Sequence, residues 1–191
     1  GAELHVRMGG ADVGGDLLGA AGDEEHAGAA VGARQAPGVA TQRLHVGGGQ
    51  DGALLSLDAA TGATRWSLKG YGPGYASAVA AELDGVRQYV LQTQSHVIGV
   101  DAVRGEALWT IPFTTPYEQN AVTAVASGGT VVYSGLDQGI HAVRPRRQAG
   151  RWTTEEAWRN DELAMYMSSP VLDGKHLFGF SHKKKGEFFC L

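Results

Sequence analysis

The feature that most constrains this chain is a ten-residue segment that occurs twice. Residues 57–66 and 100–109 each begin with an apolar residue and Asp, followed by Gly four positions after the Asp and Trp four positions after the Gly. The two copies are offset by 43 residues. Repeats of about 40–45 residues with strand-like composition are typical of the blades of a β-propeller. The segment therefore predicts an all-β chain built from consecutive, similar sheets.

Each copy reads as a β-hairpin. Short apolar runs, residues 53–57 and 97–100, precede the two Asp residues and predict strands. The Asp carboxylate can accept bonds from backbone N–H groups just ahead of it, and Gly supplies the positive φ that a short loop needs. The Trp ring ends the returning strand, and burying it removes about 150–250 Å² from water. We therefore predict structural roles, in turns and in packing between blades, for Asp58, Gly62, Trp66, Asp101, Gly105 and Trp109.

The 43-residue repeat continues after residue 109, but its turn and its hairpin length change. Val143 follows Val100 by another 43 residues, but a longer segment, 144–150, replaces the Asp-to-Gly turn. Trp158 is the matching structural Trp, 15 residues after Val143 instead of nine, so this hairpin is predicted to be longer. Leu191 then matches Leu57. The predicted propeller segment, 42–191, contains blades at 42–69, 75–113, 121–160 and, incompletely, 168–191.

A second periodic feature supports these blades. Residues 77–79, 123–125 and 169–171 each combine small residues with Val, and they are spaced by 46 residues. Small side chains suit the innermost strand of a blade, where strands crowd around the propeller axis. Together the two features predict a partial β-propeller of about three and a half four-stranded blades.

The first 41 residues differ from the rest of the chain. Ten of them are Gly and ten are Ala, and no Phe, Trp or Tyr precedes Trp66. Three explanations fit: a disordered or weakly helical leader with too little apolar surface to fold, a degenerate blade, or an out-of-frame stretch of a GC-rich gene. Segment 1–41 is predicted to be disordered or out of frame.

Composition excludes several classes of protein. The net charge of −4 argues against a nucleic-acid surface, which needs a basic stripe. The sequence contains no run of 18 apolar residues, so no membrane span is predicted. The N-terminus lacks a basic region followed by an apolar core, so no signal peptide is predicted in this chain. The single cysteine, Cys190, lies in an apolar run and is predicted to be a buried small hydrophobe.

Residues 56–66 resemble the tryptophan-docking motif of PQQ-like (pyrroloquinoline-quinone-type) β-propeller repeats, and residues 101–109 are a second match with Arg104 where Thr is usual. The resemblance covers residues 43–191. The family includes quinoprotein dehydrogenases and non-catalytic propellers such as the lipoprotein scaffold of the outer-membrane β-barrel insertion machinery. Since family propellers usually have seven or eight blades, the resemblance implies a fragment of a longer bacterial protein. It also implies a periplasmic or extracellular location.

The resemblance allows two functions. A PQQ-dependent dehydrogenase would need the quinone, a Ca²⁺ ion with oxygen ligands and an Asp base. The vicinal Cys pair that the resemblance implies for many such enzymes needs two cysteines, and no acidic cluster, His pair or nucleophile motif marks a site. We therefore predict no catalytic residue, no metal site and no cofactor. PQQ and Ca²⁺ enter only under the alternative, a fragment of a quinoprotein dehydrogenase.

The other function is a non-catalytic binding or scaffold module. Residues 70–75, 114–120 and 160–167, here called the first, second and third connecting loops, precede the small-residue strand starts and should reach one face. Their Tyr and polar residues suit recognition of a protein or small-molecule ligand, although ordinary loop packing is the alternative. The candidate surface comprises Tyr75, Tyr117, Glu118, Gln119, Asn120, Tyr166 and Ser168.

Overall fold

The computed structural model describes residues 42–46 and 52–191, and these residues form fourteen strands and two short 3-10 turns, Pro116–Glu118 and Lys183–Lys185. Segment 1–41 lies outside the described residues, so the three explanations for it stay predictions. The strands are β1 (Gln42–Val46), β2 (Gly52–Asp58), β3 (Thr64–Lys69), β4 (Val79–Leu83), β5 (Val86–Gln92), β6 (His96–Asp101), β7 (Ala107–Pro112), β8 (Val125–Ser127), β9 (Thr130–Ser134), β10 (Ile140–Gln148), β11 (Arg151–Asn160), β12 (Val171–Asp173), β13 (His176–Ser181) and β14 (Glu187–Cys190).

The strands form four antiparallel sheets in which neighbours in sequence are neighbours in space. The first sheet is β1–β3, the second β4–β7, the third β8–β11 and the fourth β12–β14. The second and third sheets have four strands, and the described parts of the first and fourth have three. This up-and-down order confirms the predicted all-β chain of partial propeller blades.

An apolar cluster fills the space between each pair of consecutive sheets. Because alternate residues of a strand point to opposite faces, β5 places Leu91 toward the first sheet and Val90 toward the third. Both are fully buried, as is nearly all of β5. The third cluster joins Val132 and Ile140 of the third sheet to Leu177 of the fourth. The middle sheets are therefore covered on both faces.

The innermost strands begin later than the sequence predicts. The first two residues of each small-residue segment precede β4, β8 and β12, and only the Val of each segment lies in the strand, as its first residue. The backbone N–H of Ser77 donates to the Thr123 hydroxyl at 3.1 Å, and the Thr123 N–H donates to the Ser169 hydroxyl at 2.9 Å. The hydroxyls of Thr123 and Ser169 thus each accept a bond from the residue 46 positions earlier, in the preceding repeat.

The predicted longer hairpin is paired strand along its length, with one β-bulge where the register shifts between Ala142 and Val143. Strands β10 and β11 extend to a tight turn at Ala149 and Gly150, both at positive φ. Asp84, in the β4–β5 turn of the second sheet, accepts a bond from the Arg147 backbone N–H at 2.7 Å. Trp152 packs against the apolar cluster between the second and third sheets. The hairpin therefore reaches back over the preceding sheet.

The fourth sheet exposes an apolar face on the side away from the third sheet. Val171, Phe178 and Cys190 lie side by side across its strands, and Phe180 lies opposite Phe188. Phe188 is 87% exposed. Cys190 is also exposed, so the prediction of a buried cysteine is wrong. Strand alternation places Cys190 on this face, which no described sheet covers.

Candidate functional site

The two Asp-to-Gly turns have nearly the same geometry. Oδ1 of Asp58 accepts bonds from the N–H groups two and three residues ahead at 3.0 Å, and Oδ1 of Asp101 does the same at 2.8 Å. Gly62 and Gly105 share a φ of 73°, and each donates its N–H to its Asp carbonyl at 2.9 Å. The Arg65 guanidinium, 2.6 Å from Asp58, and these N–H bonds hold the pKa of the Asp58 carboxyl far below its usual range.

The repeated Trp residues do not all occupy the same surroundings. Trp66 reaches across to the second sheet, where its indole N–H donates to the Ala102 carbonyl at 3.3 Å and its ring covers Gly105. Trp109 is buried and donates to Gln88 of its own sheet at 2.8 Å. Trp158 is 38% exposed. The structural role predicted for these residues thus corresponds to three different arrangements.

Hydrogen bonds tie the three connecting loops together. The Tyr75 N–H of the first loop donates to the Asn120 carbonyl of the second at 2.9 Å. The Tyr166 hydroxyl of the third loop donates to Oε1 of Gln119 at 2.7 Å. The loops therefore form one continuous surface, called here the connecting-loop surface. It consists of Tyr75, Tyr117, Glu118, Gln119, Tyr166 and Ser168.

Asn120 was expected on this surface, but its side chain is fully buried beneath it. Its amide Nδ2 donates to the carbonyls of Thr93 at 2.7 Å and Phe113 at 2.8 Å. These buried bonds give both backbone acceptors a partner, and the bond to Thr93 joins the second loop to the β5–β6 turn. Asn120 therefore positions the loop and does not present its side chain to a ligand.

Two Tyr rings project from the connecting-loop surface. Tyr75 is 75% exposed and Tyr117 is 86% exposed. Tyr117 and Glu118 both have positive φ, at 62° and 55°, a backbone region that non-Gly residues rarely occupy. The Gln94 amide donates to the Glu118 carboxylate and holds this strained turn from the neighbouring β5–β6 turn. Residues held in such sparsely populated backbone regions are concentrated at functional sites.

The third loop borders a cavity of about 290 Å³, lined in part by Tyr166, Ser168, Phe180 and His182. Ser168 donates its hydroxyl to the Phe180 carbonyl at 3.0 Å in an exposed hydrogen bond. An apolar cavity of about 310 Å³ shares Ser168 and Phe180 and continues onto the exposed face of the fourth sheet. The connecting-loop surface is therefore continuous with the exposed apolar face of the fourth sheet.

His182, which no sequence pattern marked as a site residue, joins two sheets beside Tyr166. Its Nδ1 lies 2.9 Å from the Ala164 carbonyl, and its Nε2 lies 2.8 Å from the Asp137 carboxylate. His182 and Asp137 are 45 residues apart, about one repeat. A search for complementary polar residues one repeat apart would have found this pair, and also Gln119 with Tyr166, which are 47 apart.

The comparisons with known proteins agree with this architecture. A family profile described as outer membrane protein assembly factor BamB matches residues 19–191. The chain belongs to this family of PQQ-like repeats. The match begins within segment 1–41. No curated protein matches the BamB-family chain in sequence.

A solved structure is also similar to this BamB-family chain. It is BamB from Moraxella catarrhalis, with a TM-score of 0.56 and 22% sequence identity. The similarity covers 73% of this chain and 44% of the Moraxella protein. At this identity the structure supports the propeller fold. The chain thus spans less than half the length of that protein.

Within residues 42–46 and 52–191 of the BamB-family chain, no group of three or more His, Cys, Asp or Glu side chains is placed to hold a metal ion. The described residues also contain no helix that is long and apolar enough to span a bilayer.

Proposed function

We propose that this chain is a non-catalytic scaffold of the BamB type that binds a protein partner through the connecting-loop surface. The observation that carries the proposal is the pair of exposed rings, Tyr75 and Tyr117, on loops hydrogen-bonded to each other. Loops held rigidly on a propeller present their side chains together, and Tyr is enriched at protein interfaces. The family description supports a role as an assembly factor for outer membrane proteins.

We further propose that the protein is exported to the periplasm and that the chain is part of a larger propeller. The exposed apolar face of the fourth sheet supports the second statement, because the second and third sheets cover the equivalent face with the next sheet. A further blade packed on this face would bury Phe178, Phe180 and Phe188.

Site-specific photocrosslinking in the periplasm of a Gram-negative bacterium tests the proposed binding. The photoreactive residue p-benzoylphenylalanine replaces Tyr75 or Tyr117, and adducts are identified by mass spectrometry. Both positions should give adducts with outer-membrane assembly proteins. A Tyr75→Ser/Tyr117→Ser variant should then lose co-purification of the same proteins.

Val103 is the matched control position, because it is 72% exposed but lies in the Asp101–Gly105 turn, away from the connecting loops. Crosslinks from Val103 to the same proteins, with equal yield, would show that the connecting-loop surface has no special role. The absence of adducts from both Tyr positions would also contradict the proposal.

A further inference from the structure

The outer part of the β10–β11 hairpin concentrates positive charge. Residues 144–151 contain four arginines and no acidic residue, in a chain that has 16 Lys and Arg in total and a net charge of −4. The four, all exposed, are Arg144, Arg146, Arg147 and Arg151. A quarter of the basic residues of the chain therefore lie within eight consecutive positions.

This hairpin extends beyond the level that the hairpin of the second sheet reaches. In the second sheet the strand pairs end at Val100, and the Asp101 turn follows. In the third sheet five further pairs follow Val143, which is one repeat after Val100, and they add about 17 Å of strand. The additional pairs carry Arg146, Arg147 and Arg151. A neighbouring hairpin of the shorter length would not reach these three side chains.

The hairpin tip, residues 146–151, holds one carboxylate of its own chain. Oδ2 of Asp84 accepts a bond from the Arg147 backbone N–H at 2.7 Å, and Oδ1 lies 3.8 Å from the Arg146 guanidinium. The strand register places Trp152 opposite Arg147 and Gln148 opposite Arg151, so neither arginine has an acidic neighbour across the hairpin. Among residues 42–46 and 52–191, Arg147 and Arg151 form no ion pair. Two guanidinium groups are therefore available to further carboxylates.

We propose that the hairpin tip binds an acidic segment of another protein, with Arg146, Arg147 and Arg151 pairing with its Asp or Glu side chains. Arg is suited to this role because its planar guanidinium can bind a carboxylate through two parallel N–H bonds. The contact with Asp84 shows that the tip accommodates a carboxylate. Complementary charge of this kind selects partners and speeds their association.

The composition of the tip favours a protein segment over a lipid surface. Segments that bind at a bilayer surface combine basic residues with Trp, Phe or Leu side chains that enter the acyl region. The turn of the hairpin consists of Ala149 and Gly150, and the nearby Trp152 packs against the cluster between the second and third sheets. The turn also lies at the opposite end of the strands from the connecting loops, so the hairpin tip is separate from the connecting-loop surface.

Binding of a fluorescently labelled peptide of alternating Glu and Ser to the 191-residue chain, measured by anisotropy, tests the proposal. We expect saturable binding that weakens at least about tenfold between about 20 mM and 300 mM salt, because exposed charges are screened. An Arg146→Gln/Arg147→Gln/Arg151→Gln variant should bind about tenfold more weakly, because three individually weak ion pairs are lost together. The replaced side chains are exposed and the Arg147 bond to Asp84 is made by the backbone, so circular dichroism should show a retained fold.

The matched control is Lys69→Gln/Arg104→Gln/Lys175→Gln, which removes the same charge from three separate exposed positions and should bind the peptide like the unmodified chain. The same peptide with Gln in place of Glu should show no saturable binding. An equal loss in both triple variants would overturn the proposal, because net charge alone would then govern binding. So would binding to phosphatidylglycerol vesicles that the tip variant loses while it keeps its affinity for the peptide, since the partner would then be a lipid surface.

Discussion

Gly62 and Gly105 occupy the same place in the two Asp turns, yet their surroundings differ. Both have a φ of 73°, and a Cβ added at Gly62 would meet nothing within 4 Å. A Cβ at Gly105 would lie 2.5 Å from the Trp66 ring. Gly62→Ala should lower the free energy of unfolding by about 1 kcal/mol, the penalty for a left-handed backbone. Gly105→Ala should lower it by about 1–3 kcal/mol more, because Trp66 must move.

Urea unfolding of both variants measures the difference. Because the backbone penalty is the same at both positions, the difference isolates the contact between the Trp66 ring and the Gly105 turn. Equal losses would show that this contact contributes nothing to stability. In that case the recurrence of Trp in the repeated segment would need an explanation other than packing on the turn of the next sheet.

Tyr133 gives a prediction about alkaline pH. Burial, and secondly the nearby Glu156 carboxylate, raise the pKa of Tyr133 to about 12, against a weaker opposing effect of Arg159. The raised pKa means that the contribution of the neutral phenol to stability is fully present below pH 10 and is lost as the pH rises toward 12. A Tyr133→Phe variant cannot ionise there, so its alkaline unfolding midpoint should be higher.

The Tyr133→Phe ring keeps the edge-to-face contact with Phe113, whose centroid is 5.0 Å away. Stability at pH 7 should therefore change by less than about 1 kcal/mol. Alkaline titration followed by circular dichroism measures the midpoint, with Tyr117→Phe, at an exposed ring, as the control. An unchanged midpoint in Tyr133→Phe would mean that another group governs alkaline unfolding.

At the scale of elements, the β10–β11 hairpin stabilises the junction between the second and third sheets. Its half-buried Trp152 packs on the cluster that contains Trp109 and Val143. Trp152→Ala should lower the free energy of unfolding by about 2 kcal/mol, less than for a fully buried Trp. Amide exchange in β7, which contacts β11, should also become faster.

Arg151→Ala, exposed in the same hairpin, is the control and should change stability by no more than about 0.5 kcal/mol. A similar loss in both variants would contradict this role of Trp152.

The elements also show what the sequence could predict. The Asp and Gly of each turn act within a few residues, so a 43-residue register was enough to place the hairpins and to predict the sheets. The burial of Asn120 depends on carbonyls of Thr93 and Phe113, which local patterns do not bring together. The length of the 144–150 insertion was visible, but its contact with Asp84 depends on the neighbouring sheet. Local signals therefore predicted the repeats, and contacts between repeats had to be observed.

At the scale of the whole molecule, the exposed apolar face of the fourth sheet predicts self-association of the isolated chain. Phe188, Phe178 and Val171 are 87%, 44% and 64% exposed on one face, and apolar patches of this kind usually mark interfaces. Sedimentation velocity should show a sedimentation coefficient that rises with concentration.

Phe188→Asp should weaken association at least about tenfold, because burying a Phe contributes about 1.5–3 kcal/mol and a buried unpaired charge opposes contact. Val103→Asp adds the same charge at an exposed turn and should leave association unchanged. A monomer at every concentration, or an equal effect of both substitutions, would show that this face is stable in water without a partner.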